Sequence, residues 1–314
     1  MSFLLIPFEL DFIQLIDVFG KPQSKRRGLL LLDPVSKSPI SECSPLPGLN
    51  RETFEECCLF FKKSELEINH YILNQKTILP VNTPPSIQFA LESYKVSINK
   101  IEDSFDLNLN SLYLDLNISQ FSEKDTIKVK VGRGSIQNDI ALVSQLSTNA
   151  SIRFDANRAW TLEEACQFYA ACSHLNVDYI EEPLRRVSEL DQFYTRTACS
   201  IALDETINID RQTNDHWSFI STFIIKPTRF GSIQEIRKLK QLFPDKRLVF
   251  SSSFESEVGL SQIASLAHDL SPKEVHGLNT LKFFKHGLTD GTLISQNTYC
   301  KRNLKLKEEI LSTL

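Results

Sequence analysis

Five charged residues, each closing a short apolar run, set the rhythm of this chain: Lys130 in KVKVG, Asp155 in FDAN, Glu181 in YIEEP, Asp204 in ALDE and Lys226 in IIKPT. They stand 25, 26, 23 and 22 positions apart. One strand, one helix and two loops take up a stretch of that order, so the spacing predicts parallel strands joined by crossover helices. If the sheet curls into a barrel, the five side chains meet at one rim, as three carboxylates flanked by two lysines.

Residues two apart on a strand share a face. Lys128 therefore points with Lys130, and Arg153 with Asp155, while only one of Glu181 and Glu182 and one of Asp204 and Glu205 can face inward. Three carboxylates without partners repel and raise one another's pKa. A hard divalent cation resolves that conflict, and Mg²⁺ suits an all-oxygen set. The six histidines form no HExxH pattern and the cysteines no zinc-type CxxC pair, so a metal here is held by oxygen. Two neighbouring lysines beside a metal lower each other's pKa, which prepares one as a neutral base, and Lys226 approaches from across the barrel. The array suits proton abstraction beside a carboxylate, with the metal holding the resulting enediolate. A single Lys or Asp at a strand end is usually a solvated loop residue; five of them in one barrel rhythm are not explained that way.

The chain has 314 residues, enough for one large domain or for a large and a small one. A formal net charge of −4 argues against nucleic acid as a partner, and no apolar run approaches the ~20 residues that span a bilayer. The opening MSFLLIPFEL has no basic leader and is interrupted by Glu9, with Asp11 close behind, so it reads as a strand. Seven cysteines, an odd number without a metal-site spacing, read as reduced thiols of a cytoplasmic protein. Nothing in the sequence fixes the oligomeric state.

Residues 1–106 lack the strand–helix rhythm and read as a small α+β domain. Phe3–Phe12 and Gly28–Asp33 are its strands, and the polar, basic stretch Gly20–Arg27 between them reads as a mobile loop. Asn50 is placed to cap a helix from Arg51 to about Lys62, and Pro84-Pro85-Ser86 precedes another from Ile87 to about Asn99. The barrel is expected over 107–295, with strands at Leu112–Leu116, Thr126–Val131, Ile152–Asp155, Tyr179–Glu182, Ile201–Asp204, Phe223–Lys226, Leu248–Ser251 and Glu274–Gly277. Helices at Thr161–Leu175, Ser232–Phe243 and Gly259–Leu270 fill gaps; only a short polar stretch separates the first two strands, so either the first barrel helix shrinks to a turn or the first strand lies elsewhere. The last segment, 296–314, is too polar for a strand and is expected to pack back on the small domain.

Taken in order, KVKVG, RFDANRAW, IEEP, ALDET and KPT resemble the enolase superfamily in its muconate-lactonizing-like subgroup. RFDANRAW, SSSFESEVGL, HGLNTLKFF and the SECSPLPGLNRETFEE segment are similar to the o-succinylbenzoate synthase family, dehydratases of menaquinone biosynthesis. The resemblance implies an enolase-type (β/α) barrel with an N-terminal α+β capping domain. It implies a small carboxylate substrate dehydrated with Mg²⁺, for which Mn²⁺ can substitute. It makes Asp155, Glu181 and Asp204 the metal ligands, Lys130 the base and Lys226 a cation facing the intermediate. Lys128, Arg153, Asn157, Ser251, Ser252 and Gly277 become substrate-binding or supporting residues, and Lys25, Arg26 and Arg27 match the family's active-site lid by position. SECSP stands where the family more often has a glycine. Two other functions share parts of the pattern: an N-acylamino acid racemase using the same residues, and an idle barrel serving as a scaffold, against which the complete lysine and carboxylate set argues. Dipeptide epimerases carry a DxD where this chain has Asn279-Thr280-Leu281.

Overall fold

A computed structural model describes residues 2–75, 78–98, 104–113, 125–146, 149–208 and 217–312. The chain opens as a long antiparallel hairpin, β1 (Leu4–Val18) and β2 (Lys21–Leu32), joined by β3 (Pro39–Cys43) at the far edge of β2. Phe19 and Gly20, both at positive φ, form its tight turn. The expected loop over Gly20–Arg27 is therefore a strand: Lys25, Arg26 and Arg27 pair in register with Asp11, Leu10 and Glu9. Its polarity misled because one face of a hairpin strand can be charged.

Helices α1 (Phe54–Lys63), α2 (Glu65–Ile72) and α3 (Pro85–Ser97) cover this sheet. The first begins later than Asn50 implies, because Thr53 and Glu56 form a reciprocal capping box. Asn50 instead accepts from the Leu46 N–H and donates to the Glu52 carboxylate and the Thr228 carbonyl. Ile87, Ala90, Leu91 and Tyr94 of α3 bury against Phe3, Leu29 and Leu31 of the hairpin, so the sheet and helices share one apolar core.

After β4 (Asp106–Asn108), the parallel sheet starts with β5 (Ser111–Tyr113) and β6 (Thr126–Lys130). The connection expected to be a shrunken helix lies in 114–124, outside the described residues. Then come α4 (Ile136–Val143), β7 (Ser151–Asp155), α5 (Leu162–Ala171), β8 (Val177–Glu181), α6 (Leu190–Thr197) and β9 (Ile201–Leu203). Next are β10 (Ile220–Ile225), α7 (Pro227–Phe230), α8 (Ile233–Leu242), β11 (Arg247–Phe250) and α9 (Glu257–Leu270). Helix α5 starts where the sequence places it, with Thr161 and Glu164 capping each other.

Strands β5 to β11 lie in sequence order in one curled parallel sheet. The strand expected at Glu274–Gly277 does not form. His276 and Gly277 make isolated parallel bridges to Leu109 and Ser251 instead, so single residues span the gap that strand pairing does not close. Each edge is met by one residue only, so neither bridge extends into a ladder: the His276 N–H donates to the Asn108 carbonyl, and the Gly277 N–H to that of Phe250.

The tail contains a strand after all. In β12 (Ile294–Ser295) and β13 (Thr298–Cys300), the second pairs with β4, and Tyr299 is buried on it. Beyond it, Leu306 and the short α10 (Glu308–Leu311) pack with Ile6, Phe8 and Leu10 of the hairpin. Among the described residues no helix is long and apolar enough to cross a membrane.

Candidate active site

The register of the parallel sheet puts Lys130 opposite Asp155 and Asp155 opposite Glu181, at the carboxyl ends of three adjacent strands. Asp204 follows the end of β9, and Lys226 the end of β10. All five expected residues therefore reach one rim. Each strand ends there for a local reason. After Lys130 the chain turns at Gly132 (φ +74), where a Cβ would come 2.4 Å from Ala159 Cβ, so only glycine fits. After Lys226, Pro227 opens α7 at its first position.

A cavity of about 440 Å³ opens at this rim. Lys128, Lys130, Asp155, Asn157, Lys226, Ser251, Ser252 and Gly277 all line it. Arg153 does not. It lies one layer below, wholly buried, where it pairs with Asp178 at 2.8 Å and donates to the Val275 carbonyl at 2.7 Å. Lys25, Arg26 and Arg27 also stay away from the cavity. Lys25 and Arg27 pair with the exposed Glu9 and Glu55, while Arg26 is buried and donates to the carbonyls of Ser44, Pro45 and Phe254. The part of the hairpin that reaches the cavity is its end, Gln14 to Phe19, with Leu15 and Phe19 exposed.

Charges interlock at the rim. Lys128 Nζ lies 2.7 Å from Glu181 Oε2 and 3.0 Å from Asp155 Oδ2. Lys226 donates to Asp204 Oδ2, and Arg229 stands 3.1 Å from Asp204 Oδ1. Among the described residues no three His, Cys, Asp or Glu side chains converge on one point: Asp155 and Glu181 both turn to Lys128, and Asp204 to Lys226 and Arg229. The acids are nonetheless a Mg²⁺-type set in kind: three almost fully buried carboxylates, on neighbouring strand ends, all oxygen.

The three lysines differ. Burial lowers the Lys130 pKa, and the ammoniums of Lys128 and Lys226 and the nearby Arg133 lower it further against the pull of Asp155. Burial also opposes the charge on Lys128 and Lys226. Asp155 and Glu181 more than offset it at the first, and Asp204, Glu205 and Glu181 at the second, so both pKa values rise. The expectation that both neighbouring lysines are pushed down thus holds for Lys130 alone. Burial and the adjacent Asp155 carry Glu181 up to about 8, while Asp155, facing three lysines, falls to about 2 in spite of its burial. Glu181 is the member of this cluster that a further nearby cation would return to its charged form.

Two supporting residues, Glu182 and Asp139, were not assigned from sequence, whereas Ser252 was. Glu182, at φ +44, turns away from the cavity and accepts from the Asp204 N–H, the Thr206 N–H and the Thr206 hydroxyl, which fixes the Asp204 strand end. The alternation of facing in EEP points to an outward acid but not to this partner. Asp139 Oδ2 takes the N–H of Gly132 (3.0 Å) and of Trp160 (3.2 Å) and so holds the turn after Lys130. Ser252 donates its hydroxyl to Glu255 at 2.6 Å and accepts from Thr280, so it buttresses the wall.

Residues 120–300 match the enolase C-terminal domain-like family. The chain is 30% identical over 263 residues to an o-succinylbenzoate synthase of Citrobacter koseri, covering 78% of this chain and 79% of that protein. It is 30% identical over 285 residues to one of Vibrio cholerae serotype O1, covering 83% and 84%. The chain belongs to the o-succinylbenzoate synthase family. Solved structures share this family's fold. The o-succinylbenzoate synthase of Thermosynechococcus elongatus BP-1, with Mg in its active site, superposes with a TM-score of 0.63 at 19% identity over 91% of this chain and 95% of that one. A muconate lactonizing enzyme of Pseudomonas fluorescens complexed with muconolactone gives 0.73 at 16% identity over 99% and 98%.

Proposed function

We propose that this chain dehydrates 2-succinyl-6-hydroxy-2,4-cyclohexadiene-1-carboxylate to 2-succinylbenzoate, as a cytoplasmic enzyme of menaquinone biosynthesis. The observation that carries this reading is a single cavity lined by Lys130 and Lys226 together with Asp155, in a chain of this family. Residues 1–106 would cap an enolase-type (β/α) barrel over 107–295.

Asp155, Glu181 and Asp204 would hold Mg²⁺, with Mn²⁺ as a substitute. The metal, when bound, supplies positive charge to the substrate carboxylate and makes the neighbouring C–H more acidic. Lys130, the one lysine of the three with a lowered pKa, takes that proton. The C–O bond to the hydroxyl breaks as the ring double bond forms, and the proton on Lys130 leaves with the hydroxide as water. Aromatisation drives the step. Lys226 stays an ammonium and faces the negative charge that builds during proton removal. Ser251 and Gly277 meet at a backbone bridge in the wall, where a Gly277 side chain would touch Ser251 Oγ at 3.1 Å; they shape the space for the succinyl arm. Asn157 and Lys128 complete the polar lining.

The test is formation of the aromatic product by purified protein, followed by ultraviolet absorbance before and after EDTA. Activity is expected to vanish with chelation and return with Mg²⁺, and Asp204→Ala should lose both metal binding and turnover. Absence of aromatic product from the metal-replete protein overturns the assignment; full activity after chelation overturns the metal.

A further inference from the structure

A second cavity, of about 520 Å³, shares no lining residue with the active site. It lies in a seam where β3, the end of α3, the middle of α9 and the segment after β13 come together. Helix α9 explains why this seam is unusual. Its Leu260, Ile263, Ala264, Leu266 and Ala267 are buried against the barrel core. Ser261, Gln262 and Ser265 break that pattern with one polar stripe at helical spacing, and the stripe faces the cavity.

The charged groups there are cations, set among neutral hydroxyls and amides. Lys301 donates to Ser261 Oγ at 2.8 Å and Ser265 Oγ at 3.0 Å, which pins its ammonium in the wall. Arg302 is exposed at the same cavity. Gln262 is only 8% exposed. Its Oε1 accepts from the Glu42 N–H at 3.0 Å, but its Nε2, with two hydrogens to give, has no acceptor among the described residues. A buried amide donor left without an acceptor is costly and uncommon, and a ligand oxygen is one way to satisfy it. No carboxylate lines the cavity among the described residues, in a chain whose formal net charge is −4. Pro39, Ile40, Val258 and Leu304 supply apolar wall. The volume is that of a small-molecule site and is larger than an inorganic ion needs.

We propose that this cavity is a second ligand site, for a small anionic metabolite whose phosphate or carboxylate group rests against Lys301, Arg302 and the Gln262 amide while its apolar body lies on Ile40 and Val258. Because the site joins four segments distant in sequence, its ligand would tie the seam together and raise stability by mass action. The proposal concerns binding alone and stands or falls independently of the dehydration.

The experiment is a thermal-shift titration of the full chain at constant ionic strength with phenyl phosphate, benzoate and, as a neutral control, phenol. A saturable rise in Tm is expected with at least one of the two anions and not with phenol; the anion that saturates at lower concentration identifies the head group. Arg302→Gln and Lys301→Met should weaken that binding by about tenfold or more while kcat/KM for dehydration stays unchanged. Should Lys301→Met fold poorly through loss of its serine contacts, the exposed Arg302→Gln decides. Equal shifts with phenol mean an apolar pocket only, no saturable shift means no site, and undiminished binding in Arg302→Gln places the anion elsewhere; each overturns the proposal.

Discussion

Lys130 and Lys226 face one cavity with opposite tendencies: Lys130 is the easier to deprotonate, and Lys226 is held as a cation by Asp204. Lys130→Ala should therefore bind Mg²⁺ and melt as the parent does, yet lose more than the ~10²–10⁴-fold usually assigned to acid–base catalysis, since the same ammonium also delivers the proton to the leaving hydroxide. A variant within tenfold of the parent moves the role to another lysine. Lys226→Arg keeps the charge in a group that does not deprotonate in a protein. Measurable dehydration should survive in that variant, while any racemisation of N-acylamino acids, followed by polarimetry, should disappear, because it needs a titrating group on both faces. Loss of dehydration with racemisation intact contradicts the assignment. The identities of these residues were legible in the sequence because each closes an apolar strand at a regular interval. Their pairing was not. That Ser252 spends its hydroxyl on Glu255, and that Arg153 sinks below the cavity to Asp178, depends on partners 3 and 25 positions away whose orientation no spacing encodes.

Among the elements, the N-terminal hairpin departs furthest from its sequence reading. Its basic stretch looks like a solvated loop, and two of its three cations are indeed on the exposed face. Arg26, between them in sequence, points the other way because strand neighbours alternate. It is 1% exposed and its guanidinium ties β2 to the chain at Ser44 and Pro45 and to Phe254, beside the active-site wall. Arg26→Leu would strand those three carbonyls and leave the buried Glu42 and Glu255 without their nearby cation. We expect a loss of ~3–5 kcal/mol in urea unfolding, the range for breaking a buried charge pair. Lys25→Ala should leave the urea midpoint where it is. An Arg26→Leu protein as stable as the parent, with altered substrate kinetics only, would restore the residue to the lid role. Alternation was available from sequence; what was missing was evidence that the stretch is a strand, since a continuous polar run carries no period-2 signal.

For the molecule as a whole, the gap in the curled sheet is spanned by two residues that neither strand edge supplies, Gly277 and His276. His276 gives its backbone N–H to Asn108 at 2.8 Å and its carbonyl to the Asn110 N–H at 2.9 Å. Its ring reaches the other edge, where Nδ1 accepts from the Phe250 N–H at 3.1 Å, so the proton sits on Nε2 and is donated to the Ser271 carbonyl at 3.1 Å. A second ring proton would face the Phe250 N–H. Burial therefore pushes the imidazole pKa down to about 4 from its ordinary 6.5, with a further push from the Arg153 guanidinium; the Ser271 bond opposes both without cancelling them. The folded pKa is the lower one. Between pH 6.5 and 4 the unfolded chain takes up a proton that the folded chain refuses, so this contribution is complete above pH 6.5 and is lost as pH falls. At 1.36 kcal/mol per pKa unit the whole window amounts to about 3 kcal/mol, with about 2 kcal/mol of it gone by pH 5. His276→Gln can still donate to Ser271 but cannot titrate. It should be less stable than the parent at pH 7.5, where the Phe250 bond is lost, and should show a flatter decline between pH 7.5 and pH 5 in urea denaturation. If variant and parent lose stability in parallel over that range, the imidazole is not the group that makes this fold acid-sensitive.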